Sequence, residues 1–186
     1  MKKKLSKEVR YVRYFRLRQD ERNESGLIMV GSSEKRGVRE AGLGNMSLLE
    51  DLTVIKAYTF KGRLFKELLH RQVFMFKSGI KEVFDLYLPE LEYRSFCIID
   101  LDDEKILEYY HAPILKVAAT LSPKSERPSL ASGKLYLDKK LVQELDGLDI
   151  FRMAEPEKCI IVSLPVAESL LRRKLPGILL THVEMV

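Results

Sequence analysis

Residues 159–173 read Cys159-Ile160-Ile161-Val162-Ser163-Leu164-Pro165-Val166-Ala167-Glu168-Ser169-Leu170-Leu171-Arg172-Arg173. A β-branched apolar run ends in a serine, and an amphipathic pattern of helical period follows at once. This is the layout of a hydrolase nucleophile elbow, which turns sharply from strand to helix. The elbow needs glycine two residues before and two after the serine, because the backbone there passes without room for a Cβ. Those places hold Ile161 and Pro165, a β-branched residue and a ring with fixed φ. A helix start fits better. The Ser163 hydroxyl is placed to accept from a free N–H of the first turn, and Pro165 lacks an N–H that would otherwise go unpaired. The stretch therefore predicts a strand, then a helix, with Ser163 as its cap.

The same plan occurs earlier in the chain. VFMFK (73–77) is an apolar run of strand length, and Ser78 and Gly79 interrupt it. Ile80, Val83, Phe84, Tyr87 and Leu88 then recur at helical spacing, with Lys81, Glu82 and Asp85 on the other side. Eleven residues separate Ser78 from Pro89, and thirteen separate Ser163 from Pro176. Ser78 is expected to cap as Ser163 does. The echo reads either as a duplication or as one common strand–helix solution used twice.

Around these two units lie further strands: Leu27 to Val30, Val54 to Phe60, SFCIID (95–100), Leu135 to Leu137, Ile150 to Met153 and Ile178 to Met185. ILEYYHAPIL reads as the return strand of a hairpin whose turn holds Asp100, Asp102, Asp103 and Glu104. RLFKELLHR (63–71) favours a short helix. Ser47 and Glu50 have capping-box spacing, which makes a brief helix plausible there. The glycine-bearing stretch 31–45 is expected to be an exposed loop. The fold class is α+β: a mostly antiparallel sheet with a few packed helices and two strand–helix units. The 186 residues suit a single domain, with a possible N-terminal lobe at 1–60 and a mobile insertion at 122–133.

Hydrophobic residues make up 46% of the chain, enough for a real core. The formal net charge is +5. Its source is local: Lys2, Lys3, Lys4, Lys7, Arg10, Arg13, Arg16 and Arg18 face only Glu8, whereas acids slightly outnumber bases beyond Arg18. The arginines also break every apolar run that could serve as a signal segment, and no stretch approaches the ~20 apolar residues of a membrane span. A cytoplasmic protein with no membrane partner is expected. Cys97 and Cys159, each inside an apolar run, are expected to be buried and reduced.

VRYVRYFRLR (9–18) reads as a strand with Phe15 and Leu17 on one face and Arg10, Arg16 and Arg18 pointing away. Interleaved cations and aromatics can hold phosphates and stack bases, so Arg10, Arg13 and Arg16 form an alternative nucleic-acid site. The favoured reading is an edge strand that outward arginines keep from pairing with other chains. His70, His111 and His182 fall in different segments, and a hydrogen-bonded structural role suits His111 better than that of a base. The acidic turn lacks the spacing of a calcium loop and reads as a solvated hairpin tip. No metal site, cofactor or catalytic residue is expected, and the chain is not read as an enzyme.

Two stretches carry a family resemblance, KSGIKEVFDLYLPELEYRSFCIIDLDDEKILEYYHAPIL and DIFRMAEPEKCIIVSLPVAESLLRRKLPGILLTHVEM. The second resembles the signature end of the polymorphic-toxin immunity proteins of family eleven, formerly a domain of unknown function. The matching residues are Ile150, Phe151 and Arg152, then Val162, Ser163, Ala167, Glu168, Leu170, Leu171, Gly177 and Ile178. Tyr109 and Tyr110 match a Tyr-Tyr strand in the family's middle. The resemblance covers about residues 73–186, and segment 122–133 departs from it in composition. It implies a non-catalytic protein that binds a cognate secreted toxin domain and blocks it. The implied contact surfaces are loops 32–45 and 122–133 and the acidic turn at Asp100, Asp102, Asp103 and Glu104.

Overall fold

A computed structural model describes residues 13–20, 22, 27–30, 49–59, 65–70, 73–102, 104–126, 134–155 and 159–186. Twelve strands appear among them: β1 (Tyr14–Gln19), β2 (Leu27–Val30), β3 (Leu52–Thr59), β4 (Leu68–Leu69), β5 (Met75–Phe76), β6 (Tyr93–Asp100), β7 (Ile106–Pro113), β8 (Val117–Ala118), β9 (Tyr136–Leu137), β10 (Ile150–Met153), β11 (Ile160–Ser163) and β12 (Ile178–Met185). Three helices join them: α1 (Ser78–Tyr87), α2 (Lys139–Gln143) and α3 (Leu164–Arg172). The strands form two six-stranded sheets, a first ordered β2-β3-β6-β7-β5-β4 and a second ordered β8-β10-β11-β1-β12-β9. The architecture is thus mixed α and β. In place of the one mostly antiparallel sheet expected there are two, and both are mixed: β3 runs parallel to β6, β8 to β10 and β9 to β12, while the other pairings are antiparallel.

Strand β1 overturns the edge-strand expectation. It lies in the middle of its sheet, antiparallel to β11 on one side and β12 on the other. Alternation along it serves two cores: Leu17, with Phe15 beside it, belongs to the cluster that also holds both long helices, and Tyr14 to a cluster on the opposite face. Arg16 is only 9% exposed, so it does not point into solvent. The described parts of residues 1–60 divide between the sheets, β1 going to one and β2 with β3 to the other.

Both long helices arise from their apolar stripes. Helix α1 buries Ile80, Val83 and Phe84, and α3 buries Val166, Ala167 and Leu170, all in one central cluster with residues from both sheets. Each of these side chains except that of Ala167 contributes ~1.5–3 kcal/mol when fully buried. The rings of Phe76 and Phe84 meet edge-on at 4.8 Å. The Tyr87 hydroxyl donates to the Pro165 carbonyl at 2.9 Å and lies 2.9 Å from Ser169 Oγ, linking the helices. Ser78 is the first helical residue and Lys77 the cap position, which corrects the expectation that Ser78 caps α1. Stretch 65–70 contains the strand β4, not a helix: Leu68 enters the central cluster and Leu69 the one behind it, a period-two split that only a strand produces. The capping-box pair at 47–50, the loop at 31–45 and the mobile insertion expected at 122–133 lie wholly or partly outside the described residues.

The sequence echo extends to the topology. In the first unit the order β4-β5-β7-β6-β3 has three antiparallel pairings followed by one parallel pairing. In the second, β10-β11-β1-β12-β9 has the same pairings in the same order. Helix α1 connects β5 to β6, and α3 connects β11 to β12, each bridging over one intervening antiparallel strand. Register agrees as well. Leu68, Phe76, His111, Ser95 and Leu52 form one cross-sheet row, and Ile150, Val162, Phe15 and His182 form its counterpart. The two units therefore share one pairing pattern and one register. The last strand of the first unit, β7, follows β6 through a hairpin, whereas its counterpart β1 is supplied from the start of the chain.

The two sheets meet where β1 ends. Asp20 donates its N–H to the Gly177 carbonyl at 2.8 Å, and buried Lys66 donates to the Asp20 carbonyl at 3.0 Å. The Lys66 carbonyl in turn accepts from the Tyr110 hydroxyl at 2.8 Å. Gly177 has φ +79, the left-handed region that favours glycine, and an added Cβ would sit 3.4 Å from Lys66 Cγ. Arg22 hydrogen-bonds both oxygens of the Asp20 carboxylate, holding its pKa down at about 2.

Two outcomes follow from this architecture. A permuted chain that starts at Gly26 and carries residues 12–20 behind Val186 through a short turn is expected to unfold cooperatively in urea near the parent midpoint. The same chain without residues 12–20 is expected to lose that transition. The Asp20 carboxylate titrates lower in the folded than in the unfolded protein. Its contribution is therefore complete above the ordinary carboxylate pKa of ~4 and is lost as pH falls toward about 2. Asp20→Asn is expected to flatten urea stability against pH in that window.

Candidate functional site

Ser163 occupies the N-cap position of α3, but its side chain does not cap. The Oγ donates to Asp149 Oδ1 at 2.5 Å, and the residue is fully buried. Its backbone N–H donates to the Asp149 carbonyl at 2.8 Å, so both polar groups of the serine lock onto one residue of the preceding segment. The expected bond from the hydroxyl to the first helical turn is thereby corrected. The carboxylate one strand away outcompetes a backbone amide as partner, since charge-assisted hydrogen bonds are the stronger kind. The hydroxyl is not exposed at the surface.

The other histidine and cysteine positions are scattered as well. His70 donates its N–H to Gln19 Oε1 at 3.4 Å, and the His182 ring meets Phe15 edge-on at 5.5 Å. Cys97 and Cys159 are both buried and free, and burial pushes the Cys159 thiol up to about 11 against the pull of Arg16 and Arg18. Among the described residues, no group of three or more His, Cys, Asp or Glu could hold a metal ion. No helix among them is long and apolar enough to cross a membrane. A cleft of about 470 Å³ lies beside the end of α1, lined by Leu88, Leu91, Leu148, Ile150, Glu90 and Lys116 among others.

The open face of the first sheet is different. Strand β3 places Leu52, Val54, Lys56 and Tyr58 on one side, and the paired positions of β6 and β7 continue it in rows. Leu52 is level with Ser95 and His111, Val54 with Cys97 and Tyr109, and Lys56 with Ile99 and Ile106. Five large apolar side chains stand out from this one face: Leu52 at 49% exposure, Val54 at 43%, Tyr58 at 47%, Ile106 at 59% and Tyr109 at 46%. Single exposed apolar residues are ordinary; a contiguous set on a flat sheet face marks a place of contact.

Polar groups frame the patch at both ends. Toward α1, Asp85 accepts from Tyr93 at 2.7 Å and from Lys81 at 2.6 Å, and Lys81 lies 4.6 Å from the Tyr93 ring centroid. Burial drives the Asp85 pKa up, but these two bonds outweigh it and leave the group below its ordinary value. His111, 3.4 Å from Ser95 Oγ, is held below its ordinary pKa first by burial and then by Lys81. The ring is therefore a neutral structural group that closes the patch at that end. At the other end is the hairpin tip. Asp100 Oδ1 accepts the Asp102 N–H at 2.8 Å, Glu104 takes φ 55, and Lys56 reaches Glu104 at 3.0 Å.

Of the residues singled out in the sequence, Asp100, Asp102 and Glu104 come together at this tip, and Asp103 lies outside the described residues. Arg10, Arg13 and Arg16 do not form a described surface: Arg10 is outside it, Arg13 is exposed and Arg16 is buried. Sequence reasoning missed the apolar patch, although Leu52, Val54 and Tyr58 alternate at period two. That alternation told of a face and not of whether anything covers it. No family model matches the chain, and no curated protein does.

Ser163→Ala removes a bond to a charged acceptor and is expected to lower stability by ~1.5–3 kcal/mol in urea unfolding. Asp149→Ala should cost a similar amount, and the double variant clearly less than the sum, because both remove one interaction.

Proposed function

We propose that the protein is a non-catalytic immunity protein that binds a cognate secreted toxin domain in the cytoplasm of the producing cell and blocks it. The observation that carries this reading is the apolar face of the first sheet with the acidic tip beside it. Such a face supports function by occupancy: it offers buried area and shape, and aromatic side chains such as Tyr58 and Tyr109 suit the role of anchors. The resemblance to the family-eleven immunity proteins points the same way. Its matching residues Val162, Ala167 and Leu170 are core, so they support kinship of fold; the contact surface lies elsewhere.

The test is genetic and then biochemical. The reading frame next to this gene is expected to encode a domain that arrests growth when expressed alone. Co-expression of this chain should restore growth, and the two polypeptides should elute together in size-exclusion chromatography. Continued arrest with the protein present and soluble would refute the proposal.

A further inference from the structure

The repeated pairing pattern supplies an internal comparison for the apolar face. In the first unit the row beyond Leu52, Ser95 and His111 is Val54, Cys97 and Tyr109. In the second unit the register places Tyr136 and Glu184 at the first two of these positions, with Arg13 next on β1. There the face is polar: Lys134 sits 3.9 Å from Glu184 and 5.1 Å from the Tyr136 ring centroid. Two sheets of the same pairing, each with a helix packed on it, thus carry opposite chemistry at matching positions. The fold does not require apolar side chains there, and exposing them carries an aggregation hazard that a solvated face avoids.

Charge around the patch selects among occupants. Among the described residues at the hairpin end, Asp100, Asp102 and Glu104 outnumber Lys56 and Lys105, and Lys56 is already engaged by Glu104. Among the described residues at the other end, Glu50, Asp51 and Asp85 outnumber Arg94, which pairs with Asp51 at 2.8 Å, and Lys81, which pairs with Asp85 at 2.6 Å. A second copy of the same patch would bring acid against acid. Resting on the immunity reading above, we infer that this face of the first unit docks a protein surface with an apolar centre and flanking lysines or arginines, and that the second unit's equivalent face takes no part. The apolar rows hold the complex together, and the acidic ends orient and accelerate its formation.

The experiment uses the purified chain and the purified domain encoded in the adjacent reading frame, with binding kinetics measured at low and high salt. Val54→Asp and Tyr109→Ala should each weaken binding by about 30-fold or more, chiefly through faster dissociation. Asp102→Lys should slow association and reduce its dependence on salt. His182→Ala, on the second unit's face, should change nothing. Circular dichroism identifies any variant that fails to fold, and Tyr58→Ala then serves in its place. A complex that forms with parental affinity in Val54→Asp and Tyr109→Ala overturns this inference and leaves the immunity reading standing. If the parent forms no complex, both fall. A dimer of the isolated chain that Val54→Asp dissociates assigns the face to a second copy and overturns the inference too.

Discussion

The insertion of β1 between β11 and β12 is the contact on which the rest of the structure depends. Strand neighbours close in sequence are the common case, because short connections cost little entropy. Here both partners of β1 lie far along the chain from it, so the second sheet is complete only when the whole chain has been used. The gain is a two-sided strand. Leu17 closes the core shared by both helices and Tyr14 the core behind it, with its ring edge-on to Phe151 at 5.8 Å. Alternating side chains let six residues serve both.

That insertion also completes the repeat of pairing between the two units. Without β1, the second unit would lack the strand that β7 provides in the first, and the two pairing patterns would not correspond. With it, every neighbour relation among five strands repeats. The two units differ on their open faces, while both helices bury an apolar stripe. Core positions are constrained by packing against both sheets at once, whereas a solvent-facing row is free to become apolar in one unit and charged in the other.

Much of this was legible in the sequence. The opening stretch gave its strand and helix within a residue or so, as did Ile80 to Leu88, Ile150 to Met153 and Ile178 to Met185, because each has a strong period and a proline or glycine close by. The hairpin with its acidic tip was legible for the same reason. Among the described residues 65–70 the short helix expected at 63–71 gives way to β4: Leu64, Phe65, Leu68 and Leu69 fit a helical stripe, and only the two cores on either side of β4 decide between the patterns. The arginines of β1 misled for a related reason. Arginine has a long apolar stem and can lie buried in a central strand, so its presence does not mark an edge.

The sequence by itself determined where the chain is strand or helix in its periodic segments, the two strand–helix units, and the refusal of the Ser163 region to form a nucleophile elbow. Those are local matters, settled by backbone sterics and by spacing along a few residues. Tertiary structure alone decided three others: the partner of the Ser163 hydroxyl, the central place of β1, and the exposure of one sheet face beside its solvated twin. Each depends on what arrives from distant parts of the chain. A period-two pattern states that a strand has two faces, and only the packing of other elements determines which of them is left open.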